Sequence, residues 1–282
     1  VCSSDLMTRG DHIMKQLFFF MLPMLLGNIF QQFYNIADTI IVGNWVGADA
    51  LAAVGASSPI FFLFVAAANG MSAGGGVVIG QYFGAGDHKR CRKSITTFLI
   101  FEGVVATALG IVGIFICKPI LRMINTPANI IDIADIYIRT IFWGIPFTLL
   151  YNVTSALMRA LGDSKRPLYF LLVASALNIG LDLVCIIVFR MGAFGAAFAT
   201  VFSQAVAGIG SLLYILRHYH ELRWSKDEGA FSLPHCAKLC SMGIPMGLQC
   251  SITAIGSVVL QGAVNGLGSD IVAAQTAGGK AA

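Results

Sequence analysis

Apolar stretches of about twenty residues recur along almost the whole chain, and each is long enough to cross a bilayer as a helix. Charged residues make up only 11% of the 282 residues, whereas soluble domains carry about 25%. An α-helix satisfies its own backbone hydrogen bonds in lipid, so it is the element that such stretches favour. The sequence therefore predicts an all-α fold, namely a polytopic membrane helix bundle.

Seven spans and the start of an eighth are predicted. They cover residues 14–42, 50–83, 95–117, 136–157, 168–189, 194–216 and 236–264, and the eighth begins near Ile271. Because the eighth stops at Ala282, too early to cross a bilayer, we expect the second half of the bundle to be truncated. Met7 is expected to be the natural start, with residues 1–6 of another origin.

An internal repeat predicts the domain organisation. LPMLLGN around Pro23 and VGADALAA from Val46 return as IPMGLQC around Pro245 and LGSDIVAA from Leu267. Six crossings separate the copies, which predicts two parallel six-helix lobes with a substrate site between them. The expected parts are a cytoplasmic segment at 1–13, a complete N-lobe at 14–217, an inter-lobe loop at 218–235, and helix 7 with part of helix 8 at 236–282.

The positions of Lys and Arg predict the orientation, because cytoplasmic loops carry the excess. A cytoplasmic N-terminus leaves only Lys118, Arg122 and Arg190 outside, with Arg139 near the outer boundary. We expect a multi-pass protein of the inner (plasma) membrane whose net charge of +4 reflects topology rather than nucleic-acid binding. Thirteen cations then lie inside: Arg9, Lys15, Lys89, Arg90, Arg92, Lys93, Arg159, Lys165, Arg166, Arg217, Arg223, Lys226 and Lys238.

Glycines at every fourth residue predict close helix contacts. Gly76, Gly80 and Gly84 share one helical face, and Gly262 and Gly266 repeat the spacing. The seven cysteines contain no C-x-x-C pair. They are expected to be free thiols rather than metal ligands.

Three acids lie inside predicted spans, Asp38, Glu102 and Asp182, and each is a functional candidate because an acid in hydrocarbon is costly. Asp38 and Asp182 both lie seven residues from the outer end of a span, at about 10 Å depth. Thr200 is expected at the same depth, and Asn178 lies four residues from Asp182 on the same helical face. The four side chains predict a pocket that binds H⁺, or Na⁺ through oxygen ligands, since repulsion disfavours two charges together. A structural hydrogen-bond network is the alternative.

Three further residues have more than one expected role. Glu102 is expected to reach the cytoplasmic interface or to bond to a neighbouring helix. Lys280 is a candidate cation facing a cavity. Pro23 removes a backbone hydrogen bond and predicts a bend, which is either a packing kink or a moving hinge.

Four ordered stretches carry a family resemblance: QQFYNIADTIIVGNWVGADALAAVG, MRALGDSKRP, NIGLD and GAFGAAFATVFSQ. Together they resemble the multidrug and toxic compound extrusion (MATE) transporters. The resemblance implies twelve helices in two lobes, acting as a monomer that exports cationic or amphipathic drugs in exchange for H⁺ or Na⁺. It implies no cofactor besides the coupling ion, and no metal apart from Na⁺ at Asp38 and Asp182.

The resemblance also implies roles for nine residues. It assigns ion coupling to Asp38, Asn178, Asp182 and Thr200, the substrate cavity to Gln31, Tyr34, Tyr137 and Asn152, and the hinge to Pro23. Thr253 departs from the pattern, because one branch of the family has a glutamate there. The repeat position opposite Asp38 is apolar, at Val259 or Leu260. Coupling through the first lobe is therefore expected.

Two other functions were weighed. A lipid-linked saccharide flippase shares the helix count, but an anionic pyrophosphate calls for Arg or Lys within the cavity, where this sequence places acids. A membrane enzyme could use Asp132 and Asp135 as a metal pair, but both are expected in a loop outside the bilayer. The chain is therefore expected not to be an enzyme.

Overall fold

The computed structural model describes residues 13–219 and 231–281, and over these ranges the chain is helical without any strand. The predicted all-α bundle is confirmed. The helices are α1 Ile13–Trp45, α2 Ala48–Gly84, α3 His88–Met123, α4 Ile131–Ala160, α5 Lys165–Asp182 with a π-helical continuation Leu183–Val188, α6 Gly192–His218, α7 Leu233–Asn265 and α8 Ser269–Ala281. Seven of them, α1 to α7, are long and apolar enough to cross a membrane.

The helices are longer than the apolar stretches from which they were predicted, because their first and last turns contain polar residues. α3 starts at His88 rather than at residue 95, and the Asp87 carboxylate caps it by accepting a hydrogen bond from the Arg90 amide at 3.0 Å. Met7, Arg9, Arg223 and Lys226 lie outside the described residues, as do residues 1–12 and 220–230. The side chain of Lys280 also falls outside the described part.

α2 and α4 form the centre of the bundle. In each of these two helices, 61% of the most apolar 18-residue segment is buried, compared with 11% of that segment in α1 and 17% in α7. Ile60 of α2 and Phe142, Ile145 and Leu149 of α4 are almost fully buried in one apolar cluster. Large apolar side chains such as Phe115 and Trp143 are exposed on the outside, as expected of surfaces that face lipid.

The two copies of the repeat form the same turn. Gly47 precedes α2 with φ 112°, and Gly268 precedes α8 with φ 101°, a conformation that favours glycine. Each glycine carbonyl accepts a hydrogen bond at 3.2 Å from the amide four residues later, that of Leu51 in one copy and Val272 in the other. This shared geometry supports a repeat in which α7 corresponds to α1 and α8 to α2.

Only part of the predicted glycine face packs closely. A Cβ at Gly76 would lie 3.4 Å from the carbonyl oxygen of Ala156, and a Cβ at Gly80 3.6 Å from that of Ala160, so α2 packs against α4 there. A Cβ at Gly84 would meet nothing within 4 Å. The expectation was wrong for Gly84, which ends α2 beyond the reach of its neighbours.

α2 and α7 approach each other closely, backbone to backbone. An added Cβ at Gly70 would overlap the backbone of Gly247, and one at Gly74 would lie 2.5 Å from the Cα of Gly243. We call these four residues the glycine seam. This seam was not predicted, although both glycine pairs are spaced four residues apart. Small residues at this spacing let helix backbones approach closely.

Candidate functional site

The two buried acids of the first lobe face each other. Asp38 of α1 is 8% exposed, and Asp182, the last residue of α5, is fully buried. The Asp182 carboxyl group lies against that of Asp38, close enough for a side-chain interaction. The π-helical segment Leu183–Val188 follows Asp182 directly. Such segments are rare and often lie at functional sites.

No cationic side chain of the described residues contributes to the electrostatics at Asp182; its charged neighbour is Asp38. Within the described part of the chain, neither Asp182 oxygen has a donor in hydrogen-bond geometry. Two ionised carboxylates cannot satisfy each other, because both only accept hydrogen bonds. A proton held by one carboxyl group, or a cation between the two, would remove this mismatch.

Asn178 and Thr200 lie beside the acids. Asn178 is one helical turn before Asp182 and is 2% exposed. Its side-chain nitrogen donates to Thr200 Oγ1 at 3.4 Å, and Thr200 Oγ1 donates to the Ala196 carbonyl at 3.0 Å. The Asn178 Oδ1 atom is buried without a donor among the described residues. The structure thus places all four predicted coupling residues in one region, on α1, α5 and α6.

A small polar cavity adjoins Asn178 and Thr200. Its volume is about 10 Å³, close to the smallest space that holds one water molecule. Three of its lining residues, Ser175, Ser203 and Gln204, were not predicted. Helical spacing could have found all three, because Ser175 precedes Asn178 by three residues, and Ser203 and Gln204 follow Thr200 by three and four. The cavity suits a water molecule or a bare cation, since a drug-sized ligand needs about 300 Å³ or more.

The predicted cavity residues divide into two groups. Tyr34 and Tyr137 are partly buried beside Asp38, and Gln31 is exposed with its side chain next to the Tyr34 phenol. Asn152 lies about 22 Å from Tyr137 along α4, by the rise per helical residue. There it donates to Asn69 Oδ1 of α2 at 2.7 Å. Asn69 was not predicted, because nothing in the sequence shows which polar residues of two helices face each other.

The remaining candidates lie as follows. Pro23 is buried within α1, which remains one continuous helix from Ile13 to Trp45. Glu102 bonds to a neighbouring helix, which is one of its two expected roles: its Oε1 accepts a hydrogen bond from the Ser72 hydroxyl of α2 at 3.2 Å. It lies about 21 Å along α3 from His88, counted at the rise per residue.

Asp132 and Asp135 do not form a metal pair. Asp132 binds Lys118 at 3.0 Å, and Asp135 binds Arg139 at 2.9 Å. Both acids belong to the first turns of α4 rather than to a loop. In the described ranges, no group of three His, Cys, Asp or Glu side chains could hold a metal ion.

The fold and the buried acids define a multi-pass α-helical membrane protein with a site of the kind that secondary transporters use. The family model described as MatE matches residues 23–184, more than half of the chain. The chain therefore belongs to the MatE family, that of the multidrug and toxic compound extrusion (MATE) proteins, which are transporters and not enzymes.

Known relatives agree with this assignment. The chain is 34% identical over 271 residues to a probable multidrug resistance protein, YpnP, of Bacillus subtilis, covering 94% of this chain and 59% of YpnP. Among solved structures it resembles an inward-facing multidrug resistance MATE family transporter of the MOP superfamily, with a TM-score of 0.81, 25% identity, and coverage of 88% and 56%. It also resembles a MATE structure in a bent conformation, with a TM-score of 0.79, 26% identity, and coverage of 88% and 55%. The chain thus spans about three fifths of the curated relatives' length.

Proposed function

We propose that this chain carries the ion-coupling site of a drug exporter, which moves cationic or amphipathic small molecules outward in exchange for H⁺ or Na⁺ by alternating access. The observation that carries the proposal is the buried pair Asp38 and Asp182. YpnP, described as a probable multidrug resistance protein, supports the substrate class. The protein would act in the plasma membrane as a monomer, with its N-terminus in the cytoplasm.

Protons are the favoured coupling ion. Asp182 is fully buried and its charged neighbour is another acid, so ionising both carboxyl groups would place two negative charges together in a region of low polarity. One shared proton relieves the repulsion and supplies a donor where the Asp182 oxygens have none among the described residues. Na⁺ would instead require both groups to be ionised. The amide and hydroxyl of Asn178 and Thr200 could serve either ion.

The substrate would bind next to the acids. Tyr34 and Tyr137 lie close to Asp38, and Gln31 adds an amide group there. Asn152, about 22 Å from Tyr137 along α4, would contact a more distant part of the cavity. Aromatic rings attract organic cations, and a nearby carboxylate strengthens that attraction. Protonating the acids would weaken it, which links proton uptake to drug release.

A gradient experiment tests the proposal directly. In proteoliposomes that contain the full-length protein, a pH gradient should drive efflux of ethidium, whereas a Na⁺ gradient at matched pH should not. The reason is that a proton satisfies the acid pair better than a cation that needs both groups ionised. Fluorescence of DNA-bound ethidium measures the flux. Efflux that follows only the Na⁺ gradient would reverse the choice of ion, and efflux that ignores both gradients would contradict ion coupling.

The proposed hinge has its own test. Pro23 lies about 22 Å from Asp38 along α1, by the rise per residue. Pro23→Ala should restore the missing backbone hydrogen bond, stiffen α1, and lower drug efflux on the order of tenfold, or about 1.4 kcal/mol in the barrier. Ethidium flux at matched expression measures the effect, and proton binding should be unchanged. Pro119→Ala, at an exposed proline inside α3, is the control. If Pro23→Ala exports ethidium at the wild-type rate, Pro23 is only a packing kink and not a hinge.

A further inference from the structure

Glu102 is a buried acid that the proposed coupling site does not use. It lies on α3, is 2% exposed, and accepts a hydrogen bond from the Ser72 hydroxyl of α2 at 3.2 Å through Oε1. Its second oxygen, Oε2, is fully buried and has no hydrogen-bond donor among the described residues. One oxygen of Glu102 is therefore satisfied, whereas the other has lost water and gained no partner.

The surroundings of Glu102 disfavour a negative charge. α2, α4 and α7 pack against α3. The polar group that faces Glu102 from α2 is the Ser72 hydroxyl, and in the described ranges no titratable or charged side chain of α4 or α7 contributes to its electrostatics. A buried carboxylate without a cationic partner is costly, and the neutral acid avoids that cost. A proton on Oε2 converts the unsatisfied oxygen into a donor.

Polar side chains lead from the outer acids towards Glu102. Tyr34, beside Asp38, also lies near Tyr151 of α4. The Tyr151 phenol is next to the buried hydroxyl of Ser155, one turn further along α4. These contacts extend the polar region of the first lobe inward from Asp38.

The line continues across α2. Asn152 of α4, next in the chain to Tyr151, bonds to Asn69 of α2 at 2.7 Å. Asn69 and Ser72 are three residues apart, on one face of α2, and Ser72 bonds to Glu102. A second group of polar side chains, on α4 and α2, thus ends at Glu102, and it adjoins the first group where Tyr151 and Asn152 follow each other along α4. Polar groups of this kind hold the water molecules through which protons move.

We propose that Glu102 is a second proton-binding site of the first lobe, which gains and loses a proton at Oε2 during the transport cycle. Its use in transport rests on the proposed function, whereas its protonation rests on burial and bonding alone. The step is a proton transfer without redox chemistry. The carboxylate takes H⁺ from the polar line and returns it when water reaches the site.

Infrared spectroscopy tests the protonation. In purified protein labelled with ¹³C-glutamate, wild type should show a carbonyl band of a neutral, buried glutamic acid that persists at neutral pH, and Glu102→Gln should lose it. Asp132→Asn, at an exposed acid bound to Lys118, is the control and should keep the band. Because the band is sought in wild type as well, the test does not depend on the folding of a variant. A wild-type protein without a neutral glutamic acid band would overturn the proposal.

Transport tests the use of that proton. Glu102→Gln keeps the size of the side chain and an acceptor for Ser72, so a purely structural role predicts little change. If Glu102 is a proton-binding site, the loss of its carboxyl group should slow efflux driven by a pH gradient by about a hundredfold, which is the lower range for a positioned proton-transfer group. Glu102→Asp, which keeps a carboxyl group, should retain part of the flux. Wild-type efflux by Glu102→Gln at every pH would contradict the proposal. If Asp182→Asn still exported ethidium in response to the pH gradient, the proposed function would be contradicted instead. The infrared band tells the two outcomes apart, because it reports on the protonation of Glu102 without any transport.

Discussion

Asp182→Asn is expected to abolish ion-driven efflux, lowering ethidium flux in proteoliposomes by about a hundredfold or more. Asn has nearly the size of Asp but cannot bind a proton at neutral pH. Asp182 is fully buried beside Asp38, so the variant keeps the packing and removes the charge repulsion that makes the pair responsive to protons. A ligand shifts a conformational equilibrium only through differential binding, and here the ligand would be lost. Asp38→Asn should behave in the same way.

Two comparisons make this result specific. Asp132→Asn removes an exposed acid that pairs with Lys118 outside the acid pair, and it should transport at the wild-type rate. The amount and the size-exclusion profile of each variant should match wild type, because replacing one of two repelling acids does not disturb packing. Normal pH-driven efflux in both Asp38→Asn and Asp182→Asn would show that the ion is coupled elsewhere.

The second large effect is expected at the glycine seam. Gly74→Ala adds one Cβ that would lie 2.5 Å from the Cα of Gly243, and a backbone atom cannot move aside as a flexible side chain can. α2 and α7 would have to separate. Overpacking of this kind costs about 1–3 kcal/mol, and the loss of the close approach adds to it. The midpoint of thermal unfolding, measured by size-exclusion chromatography of heated, detergent-solubilised protein, should fall.

Gly84→Ala is the matched control for this prediction. It makes the same change in the same helix, at a position where the added Cβ meets nothing within 4 Å. Its thermal midpoint should be unchanged or slightly higher, because Ala is favoured over Gly in a helix by roughly 0.5–1 kcal/mol. Equal midpoints for Gly74→Ala and Gly84→Ala would show that the seam does not depend on the missing side chains.

The sequence predicts the spans of this protein well, for a physical reason. Lipid forces each crossing segment to satisfy its own backbone, so twenty apolar residues define a helix without knowledge of its neighbours. The helix ends were less predictable. They depend on caps and turns, such as the Asp87 cap of α3 and the Gly47 turn before α2, which hydropathy does not detect.

The contacts between helices were predictable only where depth decides them. Asp38, Asp182 and Thr200 were expected together because each lies a similar distance from the outer end of its span. The glycine seam and the pair Asn69 and Asn152 were missed for the opposite reason. α2 is apolar on all sides because it lies at the centre of the bundle, so its sequence does not show which side faces α4 and which faces α7.

The glycine seam has a consequence for the origin of the internal repeat. In the internal repeat α7 corresponds to α1, so the contact between α2 and α7 joins the second helix of one copy to the first helix of the other. An ancestral gene that encoded one lobe would have made this contact between two separate chains. Two-fold symmetry would have produced it twice, since an interface of this type uses the same patch on both partners. Gene fusion would then have turned a dimer interface into the interior of a single polypeptide, where each half could change independently.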